Sequence, residues 1–137
     1  MRVQLFIPCF IDQLYPQTAF NMVKVLEKAG CEVHYNPNQT CCGQPAFNAG
    51  FVNECRAVAQ KFLNDFSATD YIVAPSASCV GFVRNYYPRV FAGTSHLNGA
   101  TGLGQKVYEF TEFLTKIVKQ EDFGATLQIK ATIVVQH

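Results

Sequence analysis

Charge is scarce in this chain. Of its 137 residues only 15% are charged, against about 25% in an ordinary soluble domain. So thin a charge layer suggests that part of the surface is covered by another chain. Nor is there an excess of one sign: eleven lysines and arginines face ten acids. A nucleic-acid or anionic-membrane surface would need a basic patch, so those partners are disfavoured. Long apolar runs are missing too, and no stretch approaches the length of a membrane span. Met1-Arg2 is followed by an apolar run of strand length that contains Pro8 and Cys9, without the pattern of a secretory leader. These features predict a cytoplasmic chain, in which thiols stay reduced and clustered cysteines bind metal or do chemistry rather than pair as disulfides.

The catalytic signatures that an α/β chain most often carries are also missing. No G-x-G-x-x-G and no G-x-x-x-x-G-K follows the first strand, and the glycines at 99, 102 and 104 read as loop flexibility. No order of serine, histidine and acid suggests a hydrolase. The paired C-x-x-C knuckles of zinc ribbons do not occur.

What the chain does have is six cysteines. Two are adjacent, in Gln39-Thr40-Cys41-Cys42-Gly43-Gln44-Pro45. Neighbouring side chains of an extended segment point to opposite faces, so adjacent cysteines reach one point only where the backbone turns. Gly43 and Pro45 permit such a turn.

The order of elements places the other cysteines. Residues 3–8 form a short apolar strand that ends in Cys9. Pro16 suits the first turn of a helix, whose apolar positions Tyr15, Ala19, Met22, Val23 and Leu26 recur every three or four residues until Gly30 caps it. Cys31 to Tyr35 alternates as a second strand and leads to the Cys-Cys-Gly segment. A long helical stripe spans 48–66 through Phe51, Cys55, Val58, Ala59, Phe62, Leu63 and Phe66. Residues 70–75 form a third strand, which runs into Ser76 or Ser78 as helix cap and then Cys79, in a helix continuing through Phe82, Val83 and Tyr86 to Pro88. Composition predicts a loop over 92–104; Val107, Phe110, Leu114, Ile117 and Val118 on one face predict a helix over 105–119; and the alternation of Leu127, Ile129, Ala131, Ile133 and Val135 predicts a final strand over 126–135. This order is that of a three-layer, mostly parallel, Rossmann-like α/β sheet. Ligands of such sheets sit beyond the carboxyl ends of the strands. Cys9, Cys41, Cys42 and Cys79 each follow a strand, so all four fall on that edge.

Four thiolates make a soft-ligand site, with an iron–sulfur cluster and zinc as its leading occupants and a metal-free thiol site as the third reading. Ligands from three separate loops suit a bulky cluster better than one ion. Cys55, within its apolar stripe, and Cys31, on the inner face of its strand, read as core. His34 alternates within a strand and is best read as facing solvent or a helix. Asp12, Gln44 and Asn48 are minor candidates for hydrogen bonds to sulfur or substrate. His96 and His137 carry no argument.

Several segments together resemble a known family. They are residues 5–12 around Cys9, 26–33, Cys41-Cys42-Gly43-Gln44-Pro45-Ala46-Phe47-Asn48-Ala49-Gly50, Pro75-Ser76-Ala77-Ser78-Cys79, 124–127 and 130–132. The chain resembles the cysteine-rich, CCG-domain iron–sulfur oxidoreductases. That family includes subunits of heterodisulfide reductase, glycolate oxidase and lactate utilization, and the likeness is nearest to the N-terminal repeat of the last two. The resemblance implies that residues 1–137 form one cysteine-rich domain, a first repeat plus the opening strand of a second. Where the family pattern ends in Cys-x-x-Cys, Cys79 is followed by Val80-Gly81-Phe82, so one thiolate of that pattern is absent. A cluster on Cys9, Cys41, Cys42 and Cys79, of the [4Fe-4S] kind, is then implied, with Gly43 letting the backbone approach closely. The implied role is electron transfer during oxidation of L-lactate, glycolate or a similar 2-hydroxy acid, alongside partner subunits that include a ferredoxin-like iron–sulfur protein. A half unit is not expected to turn over substrate alone.

Overall fold

The computed structural model describes residues 1–132 and 134. Four short strands, β1 (Arg2–Leu5), β2 (Glu32–Tyr35), β3 (Ile72–Ala74) and β4 (Val107–Glu109), form one sheet in the order β2-β1-β3-β4. Every pairing is parallel: Leu5 lies opposite Tyr35 and Val73, and Val73 opposite Tyr108. The α/β class and the parallel sheet are as the element order predicts.

Alternation along the strands divides the core into two layers. Val3, Leu5, Ile7 and Val73 face α2 (Pro16–Lys28) and the last helical segment, where Met22, Leu26, Phe113 and Leu114 cover them. Phe6, Ile72, Ala74 and Val107 point the other way. There they meet α4 (Val52–Phe66), α5 (Ala77–Val90) and α6 (Leu97–Gly104) through Phe62, Phe66, Val83, Tyr87 and Leu103. Phe6 is the pivot of this face, edge-on to Phe62 at 4.8 Å and to Phe66 at 6.0 Å. Two shorter helices complete the list up to α6: α1 (Cys9–Leu14) directly after β1, and α3 (Gln44–Asn48) directly after the Cys-Cys-Gly turn.

Five local expectations are corrected. The stripe over 48–66 is broken: α3 stops and Gly50, at φ +85°, turns the chain before α4 begins, which leaves Phe51 exposed. In α5 the inward tyrosine is Tyr87, not Tyr86, and the helix passes Pro88, which lies in its last turn where only one intrahelical bond is forfeited. The glycine-rich stretch over 92–104 holds α6, because Ala100 and Leu103 are buried and Gly104 lets α6 lie against the Arg84 backbone. Residues 105–119 begin as β4 rather than as a helix. Val107 and Tyr108 take the sheet edge, and Glu109 then accepts the Thr111 N–H at 2.8 Å and the Glu112 N–H at 3.2 Å, starting α7 (Phe110–Glu112) and its continuation as a π-helix, Phe113–Val118. The strand expected over 126–135 is not formed by its described residues, and Leu127 and Ile129 are exposed; Ile133 and residues 135–137 lie outside the described residues.

Candidate metal centre

Cys9 is the first residue of α1, placed there because Pro8 ends the extended run of β1. Cys79 sits in the first turn of α5, just past the end of β3. Between them lies the loop from Asn36 to Gly43, which leaves β2 by a turn in which the Asn38 and Gln39 N–H groups bond back to Asn36. Lys61 of α4 fastens this loop from outside by donating to the Asn38 carbonyl at 2.6 Å.

The fold brings the four cysteines together as a string. The Cys9 Sγ lies 3.7 Å from the Cys41 Sγ. Cys42 is next to Cys41 in the chain, and Cys42 and Cys79 are near enough to perturb each other's proton affinity. Cys9 is exposed, Cys41 and Cys79 are half-buried, and Cys42 is buried. A cavity of about 110 Å³ opens beside Cys9 and Cys41, lined also by Asp12, Gln39 and Thr40. A larger cleft of about 410 Å³, bordered by Asn64, Ser67, His96 and Lys106, lies at the opposite end of the sheet, before β3 and β4.

The four thiols do not share protons evenly. Cys41 is held down to about 5, chiefly by the hydrogen bond from Cys42, against the opposing effect of burial and with help from the Gly43 N–H. Cys79 is held at about 6 by Cys42, again against burial, and by the hydroxyls of Ser76 and Ser78. Cys42 is pushed far up by those same two sulfurs and by burial, and burial with Cys41 raises Cys9. The lowered pair, Cys41 and Cys79, thus both owe their shift first to the raised Cys42.

Gly43 has two reasons to be glycine beyond the approach to a ligand. Its φ is +91°, and a Cβ would stand 3.2 Å from the Cys55 Sγ and 3.3 Å from the Cys55 carbonyl oxygen. Freed of a side chain, it aims its N–H at the Cys41 Sγ, 3.4 Å away. Cys55 itself is fully buried behind the turn, and Cys31 is buried on the opposite face, as core residues should be. His34 is bonded to Glu32 at 2.7 Å and is half-buried; Asp12 accepts from Gln13.

Two residues that local pattern does not single out hold the site in place. Tyr87, fully buried, donates its hydroxyl to the Cys42 carbonyl at 2.8 Å. Gln39 bonds through its side-chain amide to the backbone of Leu5, Ile7 and Asn36. The spacing Val80, Val83, Tyr87, Val90 along α5 was the available signal for Tyr87. None in the sequence marks Gln39.

The cysteine-rich domain family, CCG, matches residues 3–84, a span that contains all four of these cysteines. The chain belongs to that family. The cysteine-rich domain, with six cysteines, points to binding of a metal or a cluster. Among curated proteins it is 42% identical over 134 residues to lactate utilization protein A 1 of Bacillus mycoides (strain KBAB4), covering 97% of this chain and 55% of that protein. To lactate utilization protein A of Geobacillus sp. (strain WCH70) it is 42% identical over 133 residues, covering 96% and 56%. To that of Bacillus subtilis (strain 168) it is 37% identical over 134 residues, covering 97% and 56%. The chain thus spans about half the length of the curated relatives it matches. No solved structure gives a significant match.

The donor set of this CCG domain is all sulfur. Among the described residues, no group of three or more histidine, cysteine or acidic side chains is already drawn together around a metal position. Four thiols beyond three strand ends suit a soft metal or a cluster in ligand type and number. No helix among the described residues is long and apolar enough to cross a membrane.

Proposed function

We propose that Cys9, Cys41, Cys42 and Cys79 hold an iron–sulfur cluster of the [4Fe-4S] kind. The chain would then be one cysteine-rich repeat of an oxidoreductase subunit that passes electrons while L-lactate, or a similar 2-hydroxy acid such as glycolate, is oxidised to the keto acid. The observation that carries this reading is the placement of the four cysteines just beyond three neighbouring strand ends, with the Cys9 and Cys41 sulfurs 3.7 Å apart. The names of the relatives supply the lactate part.

When bound, such a cluster supplies one-electron transfer. The protein's own residues prepare for it. Two thiolates spare the site part of the deprotonation that metal binding demands. The Gly43 N–H to Cys41 and the serine hydroxyls beside Cys79 are donors of the kind that stabilise charge on ligating sulfur. Cys9, the exposed member, places that side of the site near solvent or a partner.

The remaining length of the relatives leaves room for a second repeat, whose opening strand would be the segment over 126–135. Partners are the other subunits of a lactate or glycolate oxidation complex, among them a ferredoxin-like iron–sulfur protein, in the cytoplasm. Exposed Phe10, Leu14, Tyr15, Phe20 and Tyr35 are available to such contacts.

The test is anaerobic reconstitution of the reduced chain with ferrous iron and sulfide. A brown protein with broad visible absorbance and about four iron atoms per chain is expected for the [4Fe-4S] site. Cys42→Ser should remove it. Colourless, iron-free protein would defeat the proposal. A second reading, zinc in a structural or assembly module, has one observation in its favour. The 3.7 Å between Cys9 and Cys41 matches an edge of a zinc tetrathiolate, about 3.8 Å for Zn–S bonds near 2.3 Å. One zinc per chain, indifferent to iron supply, would establish that reading instead.

A further inference from the structure

Gln39 has no chemical task in the function proposed above, yet its side chain sits where a backbone should be. The β1–β2 ladder ends with Leu5 opposite Tyr35. In a parallel ladder the next β2 residue would lie opposite Phe6, giving its N–H to the Leu5 carbonyl and taking the Ile7 N–H on its own carbonyl. Chain β2 cannot supply that residue, because Asn36 has already turned into the loop. Instead the Gln39 amide does both jobs. Its Nε2 donates to the Leu5 carbonyl at 3.1 Å and its Oε1 accepts the Ile7 N–H at 2.7 Å. The same Nε2 donates to the Asn36 carbonyl at 2.9 Å, closing the turn on itself.

We infer that Gln39 is a positioning residue: its amide replaces the missing rung opposite Phe6 and so sets Cys41, two residues on, against Cys9, two residues beyond Ile7. The primary amide is the one side-chain group that copies a peptide's donor and acceptor together. It lets β2 leave the sheet early enough for the Cys-Cys-Gly loop while β1 runs on to Cys9 with its backbone satisfied. The inference rests on reading Cys9 and Cys41 as members of one donor set, but the pair can be interrogated without metal.

The test uses the full chain, reduced and metal-free, as wild type, Gln39→Leu and Gln39→Glu. Diamide converts two close thiols to a disulfide and is itself reduced to the hydrazine, taking the two electrons and two protons released. Peptide mapping then gives the rate of the Cys9–Cys41 disulfide, and alkylation of Cys79 by iodoacetamide serves as a control carried on α5 and not on the loop that Gln39 closes. Gln39→Leu should slow the Cys9–Cys41 disulfide about tenfold, the equivalent of about 1.4 kcal/mol, and leave Cys79 unchanged. Gln39→Glu keeps the bond from Ile7 and loses the two donated by Nε2, so it should fall between. An unchanged disulfide rate in the folded variants overturns the inference. So does an equal change at Cys79, which would mean general loosening. Should circular dichroism show Gln39→Leu unfolded, Gln39→Glu decides by the same two criteria. If wild type takes up no iron on reconstitution while the Gln39 effect persists, the positioning role stands and the cluster proposal falls.

Discussion

Tyr87→Phe isolates the bond that ties the Cys-Cys-Gly turn to the core. Phenylalanine keeps the ring and with it the edge-on contacts to Phe62 at 5.6 Å, Phe82 at 5.7 Å and Phe91 at 6.1 Å. Only the hydroxyl goes, and with it the 2.8 Å bond to the Cys42 carbonyl. Burial, and then the neighbouring cysteines, raise the Tyr87 hydroxyl well above its ordinary value, so it remains a donor across the working pH range. A net bond of about 1 kcal/mol is lost, and a buried carbonyl without a partner adds about 1–2 kcal/mol. For a domain of this length roughly 3–4 °C of melting temperature corresponds to 1 kcal/mol, so the variant should melt about 6–12 °C lower. Thermal and urea unfolding of the reduced, metal-free chain, followed by circular dichroism, measure this. Cys42 should also become faster to alkylate, since its carbonyl no longer anchors the turn. A melting temperature within about 1 °C of wild type would refute the argument, because it would mean that the carbonyl is satisfied without Tyr87.

Other substitutions probe the same turn. Gly43→Ala must hold an L residue at φ +91° with its Cβ against the Cys55 sulfur and carbonyl, and should cost about 2–3 kcal/mol in urea midpoint; adding Cys55→Ala relieves the sulfur contact and should recover only part of it. Cys55→Ser places a hydroxyl at a fully buried position and should lower stability by about 1–3 kcal/mol while iron uptake survives, whereas Cys42→Ser should abolish uptake; equal loss of iron in both would show that the cysteines are wrongly divided. With Cys41 lowered from 9.0 to about 5, its contribution to stability is present above the unfolded value and lost as pH falls toward about 5. Unfolding midpoints of the reduced chain should therefore rise between those two values, and Cys41→Ser should flatten the slope; the raised Cys9 and Cys42 act oppositely, but only above the ordinary thiol value.

The placement of the four cysteines was more legible in the sequence than the bounds of the elements around them. Each of Cys9, Cys41, Cys42 and Cys79 follows a short apolar run, and a parallel order of strands is enough to put them on one edge. Elements failed to read correctly where the period of the pattern changes inside a segment. Val107 and Phe110, Leu114 and Ile117 fall at helical spacing by accident, since Val107 belongs to β4 and the others follow the Glu109 cap. Over 92–104, low helix propensity outweighed two apolar positions, Ala100 and Leu103, whose burial is decided by α5 and not by the segment itself. The segment over 126–135 has the alternation of a strand, yet the sheet of this domain does not take up its described part. Gln39 was invisible for a deeper reason. Its role depends on where β1 ends relative to β2, a register that no local window of residues contains.

The four-sulfur count has a structural basis at Phe82. The residue lies one helical turn beyond Cys79, where the family pattern would put a further cysteine, and it is buried at 3% exposure. Its ring meets Phe47 of α3 at 5.3 Å, stacks on Tyr86 at 5.7 Å and stands edge-on to Tyr87 at 5.7 Å. Phe47 belongs to the helix that the Cys-Cys-Gly turn starts, and Tyr87 holds that turn by the Cys42 carbonyl. Phe82 therefore closes an aromatic wall that joins α3 to α5, and so joins the loop carrying Cys41 and Cys42 to the helix carrying Cys79. Restoring a cysteine there would exchange a ring packed on three others for a small thiol, and loss of a buried phenylalanine ring typically costs about 3–5 kcal/mol. A cysteine and the aromatic wall compete for one position. In this chain packing occupies it, because the ring joins α3 to α5 beside Cys42 and Cys79.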